Sequence, residues 1–278
     1  MHIVVCIKQV PDSAQIRVHP VTNTIMRQGV PTIINPYDLF SLEEALRLRD
    51  RFGGKVSVLT MGPKMAVEAL RKCVAYGADE AILLTDKVFA GSDTLATSFA
   101  LASAIAKIGE SESVDMVFCG KQTIDGDTAQ VGPGIARRLG MQQLTYVAQV
   151  ESLDLERRLI TVHRRSEGGV QVLQTRLPCL VTMLEGSNTM RFGSMEDLFR
   201  AARCEVAEWD HRAAGITATA QCGLKGSPTV VKKVFAPPPK AVKAQMIATD
   251  GRNAREVADA LLNSLFTRHP KLETEIAP

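Results

Sequence analysis

The chain has 278 residues, of which 45% are hydrophobic and 23% charged, and its formal net charge is +3. This length and composition are typical of a globular protein with a substantial core in one or two domains. The small net charge, with basic and acidic residues interspersed, gives no basis for binding nucleic acid or an anionic membrane. No apolar run approaches the roughly 20 residues that a membrane-spanning helix needs.

The cysteine spacing and the first residues of the chain indicate the cellular compartment. The six cysteines occur singly, without a C-x-x-C pair or the spacing of a zinc site. This usage is typical of a reducing compartment. The chain opens on a strand pattern and not on a basic segment followed by an apolar one, so we expect no signal peptide. We therefore predict a cytoplasmic protein without a metal site.

Strand and helix patterns alternate through the first half of the chain. Short apolar runs predict strands at residues 4–7, 56–61, 80–84 and 114–119. Apolar residues at helical spacing predict helices at residues 37–51, 65–75 and 93–108, and a further helix from residue 131. This alternation predicts a doubly wound, mostly parallel α/β sheet with helices on both faces.

After Gly140 the pattern changes to the period-two alternation of strands. Strands are expected at residues 145–152, 159–165, 170–176 and 177–183, and E-G-G at residues 167–169 is a hairpin signal. All four strands are predicted to be antiparallel and to extend the same sheet. A loop at residues 185–191 and a short helix at residues 195–203 follow.

A proline-rich break at residues 235–240 separates the last segment from the rest. We therefore predict a domain of residues 1–235, followed by a linker and C-terminal helical arm of residues 236–278. The helix of this arm, residues 254–266, carries Leu261, Leu262, Leu265 and Phe266, which need an apolar surface to cover them. That surface is either the chain's own domain or a partner subunit.

The most informative segment is G-K-Q-T-I-D-G-D-T-A-Q-V-G-P, residues 120–133, between a strand and an amphipathic helix. Its small, hydroxyl, acidic and amide residues suit a loop whose backbone N–H groups bind phosphate at a helix N-terminus. Gly126 and Gly132 are expected to let the backbone approach a ligand. An ordinary turn, in which Asp127 or Thr128 caps the helix, explains the pattern equally well.

Other loops are predicted to converge on the same place. Residues 6–12 and 61–64 follow strands, and N-P-Y-D at residues 35–38 leads into a helix. The carboxyl ends of parallel strands share one edge of a sheet, where ligands bind. The chain has neither G-x-G-x-x-G nor a P-loop. Asp125 and Asp127 lack a nearby nucleophile or base, so no catalytic residue is predicted.

Three motifs together resemble the beta subunit of electron transfer flavoproteins: residues 121–133, N-P-Y-D, and V-V-C-I-K-Q-V-P-D at residues 4–12. The resemblance extends to about residue 235. It implies an adenine-nucleotide-binding α/β domain, called domain III in that family, and an alpha subunit that carries the redox FAD. The residues that the resemblance assigns to the nucleotide are Cys6, Asn35, Pro36, Tyr37, Asp38, Met61, Gly62, Gln122, Asp125, Gly126, Asp127, Thr128, Ala129, Gln130, Val131, Gly132 and Pro133.

Two versions of that family differ in the nucleotide on the beta subunit. One holds AMP; the other holds a second FAD, which takes a hydride from NADH and divides the electrons between two acceptors. The form D-G-D-T-A-Q-V-G-P resembles the second, electron-bifurcating group. We therefore expect a second FAD, with AMP as the alternative. A non-redox nucleotide-binding regulatory module of similar fold and a hydrolase or ligase acting on an adenylate are the other hypotheses.

Residues 186–191 and the next helix resemble the family's recognition loop, which anchors an acyl-CoA dehydrogenase or another redox partner. The family often carries a protruding leucine near Ser187, and the serine here argues against the acyl-CoA dehydrogenase. The loop and the apolar arm predict these partner-binding residues: Gly186, Ser187, Asn188, Thr189, Met190, Arg191, Leu261, Leu265 and Phe266.

Overall fold

The computed structural model describes residues 1–12, 31–229 and 253–272, together with residues 232, 247, 249 and 251. The chain divides into two compact units, Met1–Phe235 and Ala236–Pro278. The proline-rich break at residues 235–240 lies outside the described residues. No helix in the described part is both long and apolar enough to cross a bilayer.

The first unit contains strands and α-helices in alternation. The strands are β1 (His2–Cys6), β2 (Gln9–Pro11), β3 (Thr32–Ile34), β4 (Lys55–Met61), β5 (Glu80–Leu84), β6 (Met116–Gly120), β7 (Gln142–Asp154), β8 (Leu159–Ser166), β9 (Gly169–Arg176), β10 (Cys179–Met183) and β11 (Ala207–Trp209). The helices are α1 (Pro36–Phe52), α2 (Val67–Ala75), α3 (Thr94–Gly109), α4 (Val131–Leu139) and α5 (Met195–Arg203).

Nine of these strands form one sheet in the order β11-β5-β4-β1-β6-β10-β7-β8-β9, and β2 pairs with β3 in a separate ribbon. Neighbouring strands are parallel from β11 through to β7. Within this sheet, β7 and β8 pair in antiparallel fashion, and so do β8 and β9; the ribbon of β2 and β3 is also antiparallel. The predicted mostly parallel α/β sheet with an antiparallel extension is thus confirmed.

The antiparallel direction predicted for residues 177–183 is wrong, because β10 lies parallel to both β6 and β7. The reason is a bend in β7 at Tyr146, whose φ is 59°. Beyond the end of β7, Arg158 donates a hydrogen bond to Asp115, just before β6. The chain has therefore returned to the amino edge of the sheet before β10 begins. Period-two alternation carries no sign of such a bend.

The helices cover both faces of the sheet. On one face Leu42 and Leu46 of α1 and Leu70 of α2 pack against a single buried cluster. On the other face a second cluster contains Ile105 of α3 and Ile135 of α4. Burial of each such side chain stabilises the fold by about 1.5–3 kcal/mol, so apolar residues at helical spacing fix which side of each helix meets the sheet.

The strand order reverses between β1 and β6. From β1 the chain proceeds to β4 and β5 on one side and later returns to β6 on the other side of β1. Such a switch point leaves a crevice beyond the carboxyl ends of the two strands, because the loops that follow them turn away in opposite directions. In this fold those loops begin at Ile7 and at Lys121.

The second unit contains α6 (Ala254–Arg268), which confirms the predicted terminal helix and extends it by one half-turn. Asn253 caps its N-terminus, and Asn253 and Glu256 form a capping box. None of the residues of α6 is buried. Leu261 and Leu265 are 56% and 38% exposed, so this helix presents apolar side chains at its surface.

Candidate functional site

Two cysteines lie at the bottom of the crevice between β1 and β6. Cys6 and Cys119 are directly paired residues of these parallel strands, and each is only 6% exposed. Their mutual hydrogen bond, together with burial, raises the pKa of the Cys119 thiol well above its ordinary value. Neutral, small side chains of this kind provide an uncharged surface for a ring and not a nucleophile.

Residues 121–130, the loop after β6, have an unusual backbone. Asp127 and Ala129 have positive φ values of 51° and 55°, although neither is glycine. Gln130, which follows, is right-handed with φ −100° and ψ −25°. An alternation of left-handed and right-handed residues turns successive N–H groups toward one point, which is the geometry of an anion-binding nest.

The prediction that Asp127 or Thr128 caps helix α4 is wrong. Gln130 occupies the N-cap position, and no side chain caps the helix. The left-handed backbone at Asp127 directs its carboxylate to Gln122, whose Nε2 donates to it at 2.8 Å. The N-terminus of α4 is therefore left open to an external acceptor.

The N–H groups at this helix end form a continuous row of donors, referred to below as the amide row: Thr128, Ala129, Gln130, Val131 and Gly132. Within the described residues no acceptor is found for any of the five. Thr128 and Gln130 are exposed, and the helix dipole adds partial positive charge at this end. Consecutive free donors of this kind fit a phosphate or diphosphate.

Gly132 has a packing role that the sequence did not predict. A Cβ at this position would lie 2.9 Å from Thr182 Cγ2, in the buried strand β10. Glycine therefore lets α4 approach the sheet closely, and its position does not by itself indicate access for a ligand. Gly126 differs, because a Cβ there would meet only Thr123 Oγ1 at 3.4 Å on the exposed loop.

Asp38 lies under the site and joins its two loops. Its carboxylate accepts the Lys8 N–H at 2.7 Å and the Gly120 N–H at 3.1 Å. Asp38 is 5% exposed and occupies a buried position that bridges the two loops. Burial raises the pKa of Asp38 to about 7, against the opposing hydrogen bonds from Asn35, Lys8 and Gly120.

Asn35 is fully buried and joins the same two loops a few residues further on. Its Nδ2 donates to the Gln122 carbonyl at 2.9 Å, and its Oδ1 accepts the Ile124 N–H at 3.2 Å. Its own N–H donates to the Lys8 carbonyl at 2.8 Å. Between Asn35 and Asp38, Pro36 is exposed and Tyr37 half-buried, so these two side chains remain available to a ligand.

Lys8 and Asp125 close one side of the crevice. Lys8 Nζ contacts both carboxylate oxygens of Asp125, at 2.8 and 2.7 Å. Burial opposes ionisation of Asp125, but the hydrogen bond and charge of Lys8 outweigh it and lower the pKa.

On the β4 side, the Gly62 N–H donates to the Leu84 carbonyl and Met61 is half-buried, so the loop after β4 lies next to β5.

A second group of ionisable side chains, Asp86, Asp210 and His211, follows β5 and β11. The His211 hydrogen bond lowers the pKa of Asp86 to about 2. Asp210 accepts the N–H groups of Arg212 and Ala213, and Asp86 also accepts that of Val88. These hydrogen bonds form two turns, and the contact between His211 and Asp86 joins them.

The loop predicted to bind a partner is held against α1 of its own chain. Asn188 Nδ2 donates to the Phe40 carbonyl at 2.9 Å, and Arg191 Nε forms an ion pair with buried Glu43 at 2.9 Å. In the described structure the buried Ser187 Oγ and Asn188 Oδ1 have no hydrogen-bond partner.

An apolar surface adjoins this loop on its C-terminal side. Phe192 is 97% exposed and Phe199 is 59% exposed, with Met195 and Leu198 between them. Their spacing, with Met195 and Phe199 at i and i+4, places Met195, Leu198 and Phe199 on one side of α5. The spacing of these apolar residues in the sequence could have predicted this surface. It lies on the C-terminal side of residues 186–191.

Comparison with known proteins agrees with this fold. The electron transfer flavoprotein domain model matches residues 22–214, and the chain belongs to the electron transfer flavoprotein family. Protein FixA of Azotobacter vinelandii is 65% identical over 277 residues, which cover 100% of this chain and 99% of FixA. The electron transfer flavoprotein subunit beta of Clostridium acetobutylicum is 45% identical, over 97% of this chain and 99% of that subunit. CarD, a subunit of the caffeyl-CoA reductase-Etf complex of Acetobacterium woodii, is 44% identical, over 97% and 99% of the two chains. The chain therefore has a beta-type role in electron transfer, and family membership implies a flavin in the complex.

Proposed function

We propose that this chain is the beta subunit of a heterodimeric electron transfer flavoprotein and that it binds an adenine nucleotide at the switch point between β1 and β6. The observation that carries the proposal is the amide row, residues 128–132. It opens a helix directly beside the crevice, and no protein acceptor in the described structure uses it. Such a site binds phosphate groups through backbone donors and the helix dipole.

Different residues around the crevice bind different parts of the nucleotide. The amide row and the Thr128 hydroxyl hold the phosphates, while Cys6 provides an uncharged surface for the adenine. Pro36, Tyr37, Met61 and Gly62 form the side walls. The remaining proposed contacts come from the loop after β6 and the first turn of α4: Gln122, Asp125, Gly126, Asp127 and Pro133.

A second FAD is the proposed nucleotide, with AMP as the alternative. The form D-G-D-T-A-Q-V-G-P supports FAD by its resemblance to electron-bifurcating members. The 44% identity to a subunit of a caffeyl-CoA reductase-Etf complex supports a role within a larger redox assembly. When bound, FAD would accept a hydride from NADH and transfer electrons. The residues of this chain hold and orient it, and none of them is assigned acid–base chemistry.

The test is the nucleotide content of the heterodimer purified with its alpha subunit. After reconstitution with excess FAD, acid extraction and chromatography should give two FAD molecules per heterodimer, and NADH should reduce the flavin. One FAD and one AMP would favour the AMP version. A chain that binds a nucleotide without a flavin or an alpha subunit would support the regulatory module instead.

Variants at Ala129 test the amide row itself. Ala129→Gly suits the positive φ and should keep the nucleotide, whereas Ala129→Val is disfavoured there because β-branched residues avoid this region. We expect Ala129→Val to lose most of the nucleotide while retaining the circular dichroism spectrum of the parent protein. Equal nucleotide content in the two variants would exclude the amide row as the phosphate site.

A further inference from the structure

We propose that Asp38 is a positioning residue of the nucleotide site, which fixes the loop after β1 relative to the loop after β6 without contacting the nucleotide. This inference rests on the proposed nucleotide-binding function. It assigns a role to a buried carboxylate that the family resemblance describes only as part of the pocket lining.

The two hydrogen bonds of Asp38 hold the strand ends that flank the crevice. One carboxylate oxygen accepts the Lys8 N–H at 2.7 Å and the other accepts the Gly120 N–H at 3.1 Å. Lys8 stands two residues beyond β1, and Gly120 is the last residue of β6. A Cβ at Gly120 would collide with the Asp38 carboxylate. Glycine at this position therefore leaves the space that the Asp38 hydrogen bonds need.

The bridge extends into the loop that carries the amide row. Asn35, one helical turn before Asp38, holds Gln122 and Ile124 through both atoms of its side-chain amide. The loop is thus fixed at Gly120, Gln122 and Ile124 by the start of α1. From Ile124 only four residues lead to Thr128, where the amide row begins. The placement of the amide row relative to β1 therefore depends on this set of buried hydrogen bonds.

Asp38→Asn removes the bridge with almost no change in shape. A carboxylate offers two acceptor oxygens, whereas an amide offers one oxygen and an NH2 group. Either the Lys8 N–H or the Gly120 N–H then faces another donor, and one of the two loops is released.

The chain offers a matched control at the opposite edge of the sheet. Asp115 is 9% exposed and accepts the His2 N–H at 3.0 Å, so it joins the start of β1 to the residue before β6. Asp115→Asn makes the same substitution at the amino ends of the same two strands, far from their carboxyl ends, and it also removes the charge that pairs with Arg158. It reports the effect of lost stability without a change at the crevice.

The experiment compares the parent protein, Asp38→Asn and Asp115→Asn as heterodimers with the alpha subunit. Nucleotide is removed, and FAD and AMP are titrated separately by calorimetry at a temperature at which all three proteins are folded. At a pH above the Asp38 pKa of about 7, we expect Asp38→Asn to weaken binding about tenfold or more, as for a lost hydrogen bond to a charged group, and Asp115→Asn by less than about twofold. Binding by Asp38→Asn within about twofold of the parent, or an equal loss in Asp115→Asn, would overturn the proposal.

Hydrogen exchange at residues 121–132 supplies a second measurement that needs no ligand. We expect faster exchange there in Asp38→Asn and unchanged exchange in Asp115→Asn; unchanged exchange in both overturns the proposed positioning role. If Asp38→Asn does not fold, Asn35→Ala, which releases Gln122 and Ile124, is expected to give the same weakening and faster exchange, and parent-like values would overturn the proposal. A parent heterodimer that binds neither FAD nor AMP would instead reject the proposed nucleotide-binding function.

Discussion

Asp38 makes stability depend on pH in a predictable direction. Burial raises its pKa from the ordinary value of 3.8 to about 7, against the opposing hydrogen bonds from Asn35, Lys8 and Gly120. Between these two values the folded protein retains a proton that the unfolded chain has released. The stabilising contribution is therefore fully present below about pH 4 and is lost as the pH rises through about 7.

We expect Asp38→Asn to reduce the fall in the free energy of unfolding between about pH 4 and about pH 7.5. One pKa unit corresponds to about 1.4 kcal/mol, so the difference amounts to a few kcal/mol across this range. Urea unfolding at several pH values measures it. Parallel curves for the parent and Asp38→Asn would contradict the prediction.

Gly132 and Gly126 should respond differently to the same substitution. Gly132→Ala places a Cβ 2.9 Å from Thr182 Cγ2 in a buried strand, and we expect a loss of about 1–3 kcal/mol from overpacking. Gly126→Ala makes an ordinary contact at the surface and should change stability by less than about 0.5 kcal/mol. Thermal melting of the two variants checks this, and equal melting temperatures would show that α4 does not pack as described.

Asp125 is expected to weaken nucleotide binding in the parent protein. Its negative charge stands beside the amide row and occupies Lys8. Asp125→Asn removes that charge and frees the lysine, so binding of FAD or AMP should tighten at low salt, and the gain should shrink as salt screens it. The exposed ion pair itself contributes less than about 1 kcal/mol to stability. Weaker binding at low salt in calorimetry would refute this interpretation.

Individual residues of the site were predictable to different degrees. The motif at residues 120–133 identified the loop, because small and hydroxyl residues between a strand and a helix favour phosphate binding. The cap at Asp127 was mispredicted because no glycine marks the left-handed conformations of Asp127 and Ala129. The bridging role of Asp38 was not visible, because its partners are 30 and 82 residues away in the sequence.

At the scale of elements, pattern length decided what the sequence could reveal. The long helices α1 and α3 and the buried strands of the parallel sheet were predicted because each repeats its pattern several times. The strands β2, β3 and β11 have only three residues each, too few to show a period. The parallel direction of β10 depends on the bend at Tyr146, a tertiary feature without a sequence signal.

The loop at residues 186–191 is held on α1 by ion pairs of Arg191 with Glu43 and Asp50 and by the hydrogen bond from Asn188 to the Phe40 carbonyl. Arg191 contacts Glu43, whose side chain is 4% exposed, and Arg191→Ala leaves that carboxylate with Arg47 and the backbone N–H of residue 191. We expect a loss of about 2–4 kcal/mol, because an incompletely paired buried charge is costly. Adding Glu43→Gln should recover part of it. Urea unfolding in a double-mutant cycle measures the coupling, and additive effects would show that the ion pair does not hold the loop.

At the scale of the whole molecule, the position of the site follows from chain topology. Strand order alone creates a crevice between β1 and β6, and the loops after these strands carry Lys8 and the amide row. The alternation of strands and helices predicted that such an edge exists. It could not predict which pair of strands flanks the crevice, because strand order depends on long-range pairing that periodicity does not encode.

The arm at residues 236–278 is proposed to dock on the alpha subunit. Leu261 and Leu265 lie one helical turn apart on α6 and are exposed, and apolar residues at this spacing suit burial against a partner helix or groove. The unit Met1–Phe235 has its own two buried clusters, so a chain that ends after residue 235 should still fold. We expect this truncated chain to lose the alpha subunit during co-purification.

The double variant Leu261→Ser, Leu265→Ser should reproduce that loss in the full chain, whereas Asn263→Ser on the same helix should retain the subunit. Because none of the residues of α6 is buried, the leucine substitutions remove little packing within the chain and should leave its melting temperature nearly unchanged. Size-exclusion chromatography of the co-expressed subunits measures retention. Full retention by both the truncated chain and the double variant would show that the heterodimer forms without the arm, and the docking surface would then have to lie on the first unit.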